Sequence, residues 1–468
     1  MERGEARDWA EQEFGDVDTG DVRRDRRVIA VATRAVQQPA GRVLQVFHTS
    51  AERQGAYDLL ANDACKASVL TEAMGRAAAR RAAESSRVYV STDGSSLSLI
   101  DRKGTKGFGR IGSTKQGGKG LKVISSLGID EQGAAVGVLD QQWWARGACR
   151  KRRNCHARKL QDKETSHWVN SLQASKERLS ELAPETDVWF LLDRENDRRL
   201  VLTWLQDSGA TYVVRSSTNR RLAGDDGYLL DRLRSVAPMH VYTLEVAAAR
   251  GRRARRARMV VRASRATLRL RDQWSDKLQP LDVVVVEARE ERTTPKGEEP
   301  IAWRLLTNHE VTTSAEADDV IQAYAKRWVI EEFHKTWKSG ACNVEDSQLR
   351  DTQAVIKWAT IMAAVAARIE RLKVLSRTQP DLPAGQELTH YELRALIQLK
   401  RRHKKRTETI PDTEPTMAQA IWWLAELGGY TGKSSGGPPG SITIRRGLDY
   451  IAPAADLLEA LENEGKLR

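Results

Sequence analysis

Residues 324–338 read YAKRWVIEEFHKTWK, a run free of glycine and proline. At roughly 100° per residue it predicts one amphipathic helix that reaches back to about Ala315. Tyr324, Arg327, Glu331 and Lys338 then fall within an arc of about 60°, with Val329, Ile330, Phe333 and Trp337 on the far side. One face is expected in a core. The other offers a carboxylate between two cations and a phenol. The same pattern alone describes a solvated, ion-paired helix, so the reading depends on what else the chain carries.

Two stretches answer it. RVYVSTDG, at 87–94, is a β-branched and aromatic run that predicts a strand delivering Asp93 at its C-terminal edge. DVWFLLDREND, at 187–197, predicts a buried strand that stops at Asp193. Taken singly, either aspartate is an ordinary turn or cap residue. Together with Glu331 they are three hard-oxygen groups that a sheet edge can gather, a set suited to Mg²⁺ with Mn²⁺ as a substitute. Two such ions about 3.5–4 Å apart support in-line displacement at phosphorus.

Around these runs the chain predicts an α/β protein with a mixed-sheet core and helical ends. Residues 1–85 read as a helical unit in which GDVRRDRRVIAVATRAV sets Arg23, Arg24, Arg26, Arg27 and Arg34 on a helix with an apolar side, a form that either docks on duplex DNA or presents a solvated face. Residues 86–375 read as the catalytic region, with strands over 122–129, 134–144 and 211–215 and a helix over 165–182. A β-rich insertion at about 216–312 interrupts it and carries the basic run GRRARRAR. Residues 376–468 read as a helical C-terminal region, its last helix starting at 453. Its apolar stripes, Ile421, Trp422, Leu424 and Leu427, then Leu457, Leu458 and Leu461, serve either a homodimer contact or packing against each other within one chain.

Charge points to the partner. Lys plus Arg number 76 against 63 Asp plus Glu, a net charge of +13, which favours a polyanion and double-stranded DNA first. No apolar run approaches the roughly 20 residues that span a bilayer, and a cytoplasmic protein with no membrane partner is expected. Of four cysteines, Cys149 and Cys155 lie near His156, but no second pair completes a zinc site. The run RIGSTKQGGKGLK at 110–122 lacks the Ser or Thr that ends a phosphate loop, and reads as a hairpin loop.

The spacing Tyr324, Arg327, Glu331, Lys338, with Asp93 in STDGSSLSL and Asp193 in LLDREND, resembles the acidic triad of bacterial cut-and-paste transposases with a ribonuclease-H-like core. The likeness is to the hairpin-forming insertion-sequence subgroup and extends to QGAYDLL at 54–60, LDQQWW at 139–144 and LAELGGY at 424–430. The resemblance implies that Asp93, Asp193 and Glu331 hold two Mg²⁺ ions, and that Tyr324, Arg327 and Lys338 bind phosphates of the strand that becomes a hairpin. It implies that Trp303, in IAWRLLTN, stacks on a flipped base, and that Arg215 is a nearby basic contact. It further implies nicking of transposon ends, hairpin formation and resolution, and strand transfer by a homodimer bound to two ends. The alternatives are an inactive DNA-binding repressor of the same family and a structure-selective nuclease. The 145–160 loop is basic where the subgroup's best-known member is acidic.

Overall fold

The computed structural model describes residues 5–112, 117–147, 164–224, 227–249, 251–271, 278–404, 408–411, 413–432 and 437–463. The chain opens with five helices, α1 (Glu5–Phe14), α2 (Val22–Gln37), α3 (Val43–Val46), α4 (Ser50–Ala61) and α5 (Ala67–Ala82). Then follow β1 (Arg87–Ser98), β2 (Gly109–Arg110), β3 (Lys119–Ile129), β4 (Ala135–Trp144), α6 (Thr165–Leu182), β5 (Asp187–Leu192), α7 (Arg199–Asp207) and β6 (Thr211–Arg215). The expected hairpin joins β2 to β3, while residues 113–116 and the basic segment 148–163, with Cys149, Cys155 and His156, lie outside the described residues.

β3 pairs antiparallel with both β1 and β4, while β5 runs parallel to β1 and β6 parallel to β5. The residues expected as an insertion form α8 (Leu229–Ser235), β7 (His240–Val246), β8 (Arg255–Arg271), β9 (Leu278–Glu290) and β10 (Ala302–Thr307). They do not stand apart as a separate layer. β10 pairs antiparallel with β6, and β9, β8 and β7 follow in turn, so that among the described residues ten strands make one mixed sheet. The reason is local: β6 would otherwise leave a row of unpaired backbone groups, which β10 takes up.

Alternation along β1 divides the interior. Val88 and Val90 face a core built with α6, α7 and the apolar side of α5, whereas Tyr89 faces a larger core shared with the N- and C-terminal helices. Asp93 has the parity of Tyr89 and so emerges on the second side. The remaining helices are α9 (Ser314–Lys326), α10 (Val329–Lys338), α11 (Thr352–Thr378), α12 (His390–His403), α13 (Met417–Leu427) and α14 (Ser441–Asn463). α11 is buried over most of its length, from Ala354 to Leu375, because it is rich in alanine and apolar residues and its buried charges are partnered, Lys357 by backbone carbonyls, Arg368 by Glu392 and Lys373 by Glu370.

One expectation changes, and one of two open alternatives is favoured. α14 begins twelve residues before Pro453 and runs through it, so the proline that marked a helix start in sequence sits inside the helix. The stripes of α13 and α14 largely pack within the chain: Ile421 and Leu424 are buried, leaving Trp422 and Leu457 exposed. The two helices cross at glycine, since a Cβ at Gly447 would lie 2.0 Å from the Leu424 carbonyl oxygen and one at Gly428 2.1 Å from that of Thr443.

Candidate active site

The run 324–338 is two helices rather than one. Between α9 and α10 the amides of Arg327, Trp328, Ile330 and Glu331 each bond to the carbonyl three residues back, at 3.0–3.2 Å. This tighter winding, about 120° per residue against 100°, turns Tyr324 and Arg327 inward, to 5% and 9% exposure, and sends Trp328 out to solvent. The Arg327 carbonyl at the joint also accepts the Ser91 hydroxyl of β1 at 3.3 Å, which fixes the joint over the sheet. Ile330, Phe333 and Trp337 enter the core as expected.

Asp93 does not end its strand, because β1 continues to Ser98 alongside β3. It stands one residue beyond the last parallel pair, Thr92 opposite Leu192, where β5 stops and Asp193 follows. The two aspartates are thus delivered side by side by strand register. Asp193 caps a short 3₁₀ turn, Arg194–Asn196, accepting from the Glu195 amide at 2.9 Å and the Asn196 side chain at 3.0 Å. From α10, Glu331 pairs with Arg327 at 3.1 Å.

The electrostatics reflect this crowding. Burial first, then the charges of Glu331 and Asp193, push the Asp93 carboxyl up to about 7, with Arg327 opposing. Burial opposes the charge of Arg327, but Tyr324, Asp93 and Glu331 outweigh it and raise its pKa. Tyr324 is raised chiefly by burial, against the pull of Arg327 and Arg215. Its ring meets that of Trp303 edge-on, with centroids 5.3 Å apart, and Arg215 donates to the Ala302 carbonyl at 3.3 Å. Tyr324, Arg327, Glu331, Asp93, Asp193, Arg215 and Trp303 therefore form one neighbourhood. Lys338 lies at its far end, 3.9 Å from Glu345.

One member was missed in sequence. His334 is buried on α10 with Nδ1 3.8 Å from Asp93 Oδ2, and Nε2 has no hydrogen-bond partner. Burial, then Lys338 and Arg327, pushes its pKa down to about 3, so it faces Asp93 as a neutral ring. The signal available was its place three residues after Glu331 on the same helix.

The donor set fits a divalent cation. Part-buried carboxylates held beside one another without a cation repel, and their oxygens are the hard ligands that Mg²⁺ or Mn²⁺ take. Among the described residues no three carboxylate, imidazole or thiol groups converge tightly enough to enclose an ion alone. A bound ion would draw on these side chains in ones and twos and complete its shell with water or phosphate oxygen, the usual pattern for Mg²⁺.

Comparison with protein families decides the class. A family model described as Transposase DNA-binding matches residues 6–65, and one described as Transposase DDE domain matches residues 162–367. The chain is a DDE-type transposase. The sheet order β4-β3-β1-β5-β6 is accordingly the ribonuclease-H-like core of that domain, which generally uses divalent metal ions. Asp193 and Glu331 lie inside the matched span. Asp93 precedes it and joins the site through strand register alone.

The transposase's DNA-binding unit comprises α1 to α4. On α2, Arg23, Arg26 and Arg27 are exposed, whereas Arg24 is half-buried, donating to the Thr19 carbonyl at 2.8 Å. Arg34 is spent on ion pairs with Glu52 and with Asp456 of α14. Among the described residues no helix is long and apolar enough to cross a membrane.

Proposed function

We propose that the chain is a cut-and-paste transposase of the hairpin-forming kind, in which Asp93, Asp193 and Glu331 hold two Mg²⁺ ions. The observation that carries this reading is the packing of Trp303, from the strand that returns out of the insertion, edge-on against Tyr324 of the glutamate-bearing segment. A simple nuclease has no use for an aromatic side chain held there. A hairpin requires the DNA end to bend sharply, and a base leaving the stack gains about 1–3 kcal/mol from an aromatic surface.

The bound ions would supply Lewis-acid stabilisation of charge at the reacting phosphate. The protein's own groups do the rest. Arg327, held by Glu331 and Tyr324, directs its guanidinium towards the carboxylates, and its Nη1 lacks a hydrogen-bond partner within the protein, leaving a donor for a phosphate oxygen. Arg215 and Lys338 flank it as further phosphate contacts. The neutral His334 excludes water behind Asp93 without adding charge. Two chains would act together on two ends, with the exposed Trp422 and Leu457 available to the contact.

Denaturing gels with a duplex carrying one terminal repeat of the element test this reading. Trp303→Ala should leave the first nick close to wild type while hairpin product falls about 5- to 150-fold, the equivalent of the lost stacking. Equal loss of both products would remove Trp303 from the hairpin step.

A further inference from the structure

Four contacts fasten the DNA-binding unit to the catalytic half, and they meet at α11 and the turn that follows α10. Lys357, on α11 and only 2% exposed, donates from Nζ to the carbonyl oxygens of Leu60 and Asn62, each at 2.8 Å, closing the C-terminal end of α4. Next to it, buried Trp358 donates its Nε1 to the Gly41 carbonyl at 2.9 Å and sets its ring near Phe47, with centroids 6.3 Å apart. Gly41 in turn lies so close to the backbone of Asn343 that a Cβ there would come within 1.9 Å of its carbonyl oxygen. Arg42 completes the joint, pairing with Asp346 at 2.8 Å.

A lysine is a costly way to fill a core. Burial lowers the pKa of Lys357, and an apolar residue of similar volume would avoid that penalty. What the ammonium adds is direction: two carbonyls at one nitrogen fix rotation as well as distance between α4 and α11. Asn343 adopts the left-handed conformation, φ 48°, five residues beyond the end of α10, so the joint is also tied to the helix that carries Glu331.

We infer that Lys357, Trp358 and Gly41 are positioning residues whose interlock holds the DNA-binding unit in register with the carboxylates and thereby selects which phosphodiester is cut. This rests on the reading that Asp93, Asp193 and Glu331 cut the end. Successive phosphates on one strand are separated by about 3.4 Å along the helix axis, so a joint that slackens by a few ångströms brings a neighbouring phosphate to the site. A misplacement of about 1 Å already costs on the order of 100-fold in rate. The constraint applies to an end cut by the chain that binds it, where this joint lies between recognition and chemistry.

The test maps cut positions at nucleotide resolution on a duplex carrying the element's terminal repeat, for the full chain, Lys357→Met, Trp358→Phe and Gly41→Ala. The wild type should cut at one position. The variants should bind the duplex within about 3-fold of wild type, lose about 10- to 100-fold at that position and gain cuts at its neighbours. Cuts that stay at one position at a reduced rate would overturn the inference, since a merely structural role lowers amount without moving position. A second measurement is independent of chemistry. Spin labels on cysteines placed at exposed Gln54 and Gln132, with Cys149 and Cys155 replaced by Ser, should report a narrow distance in wild type and a broadened one in Lys357→Met. An unchanged narrow distance overturns the interlock, whereas an uncut wild-type duplex sinks the catalytic reading and leaves the distances to decide the joint.

Discussion

Asp93→Asn should stabilise the metal-free protein, and by an amount that grows with pH. The wild-type carboxyl has its pKa raised from 3.8 to about 7, so ionising it costs more in the folded than in the unfolded chain. Because the folded pKa is the higher one, the associated stability is complete below pH 3.8 and is lost as pH rises through 7. Linkage with these values gives a penalty of roughly 2 kcal/mol at pH 5 and roughly 4 kcal/mol at pH 8. Asparagine keeps the shape without the charge. Its advantage over wild type should therefore widen by roughly 2 kcal/mol between pH 5 and pH 8, and relaxation of the site would reduce that figure. Thermal melts of both proteins across that range, in chelator, measure it. Adding Mg²⁺ at pH 8 should narrow the gap by stabilising only the wild type, through mass action on its carboxylates. A difference that stays constant from pH 5 to pH 8 would refute the claim that Asp93 is desolvated by burial and crowded by Glu331 and Asp193.

Asp93→Asn, Asp193→Asn and Glu331→Gln should each abolish Mg²⁺-dependent cleavage while retaining binding of the terminal repeat in gel shifts; substantial cutting by one variant removes that residue from the site. Arg26→Ala and Arg27→Ala should weaken end binding and each lower the salt slope by about one, whereas Arg24→Ala should act on the melting temperature, because Arg24 is tied to the Thr19 carbonyl. Trp422→Ala with Leu457→Ala should preserve the fold, both side chains being exposed, yet reduce the mass of the complex with end DNA by light scattering; an unchanged two-DNA complex would place the dimer contact elsewhere.

What the sequence determined alone was the chemistry and most of the elements. A continuous apolar run stopping at Asp193 and the basic and acidic spacing of 324–338 are local patterns, and periodicity is a local property; β6 and α6 were legible to the residue. Tertiary structure decided the rest. Asp93 sits mid-strand, and only its register against β5 makes it the neighbour of Asp193. The joint at Arg327 and Trp328 depends on Ser91 from a distant strand, which no helical periodicity contains. The insertion became part of the main sheet because β6 offered it an edge. His334 and Lys357 look in sequence like ordinary polar positions on amphipathic helices. Their roles arise from burial against Asp93 and against the end of α4, and burial is set by neighbours that only the fold supplies.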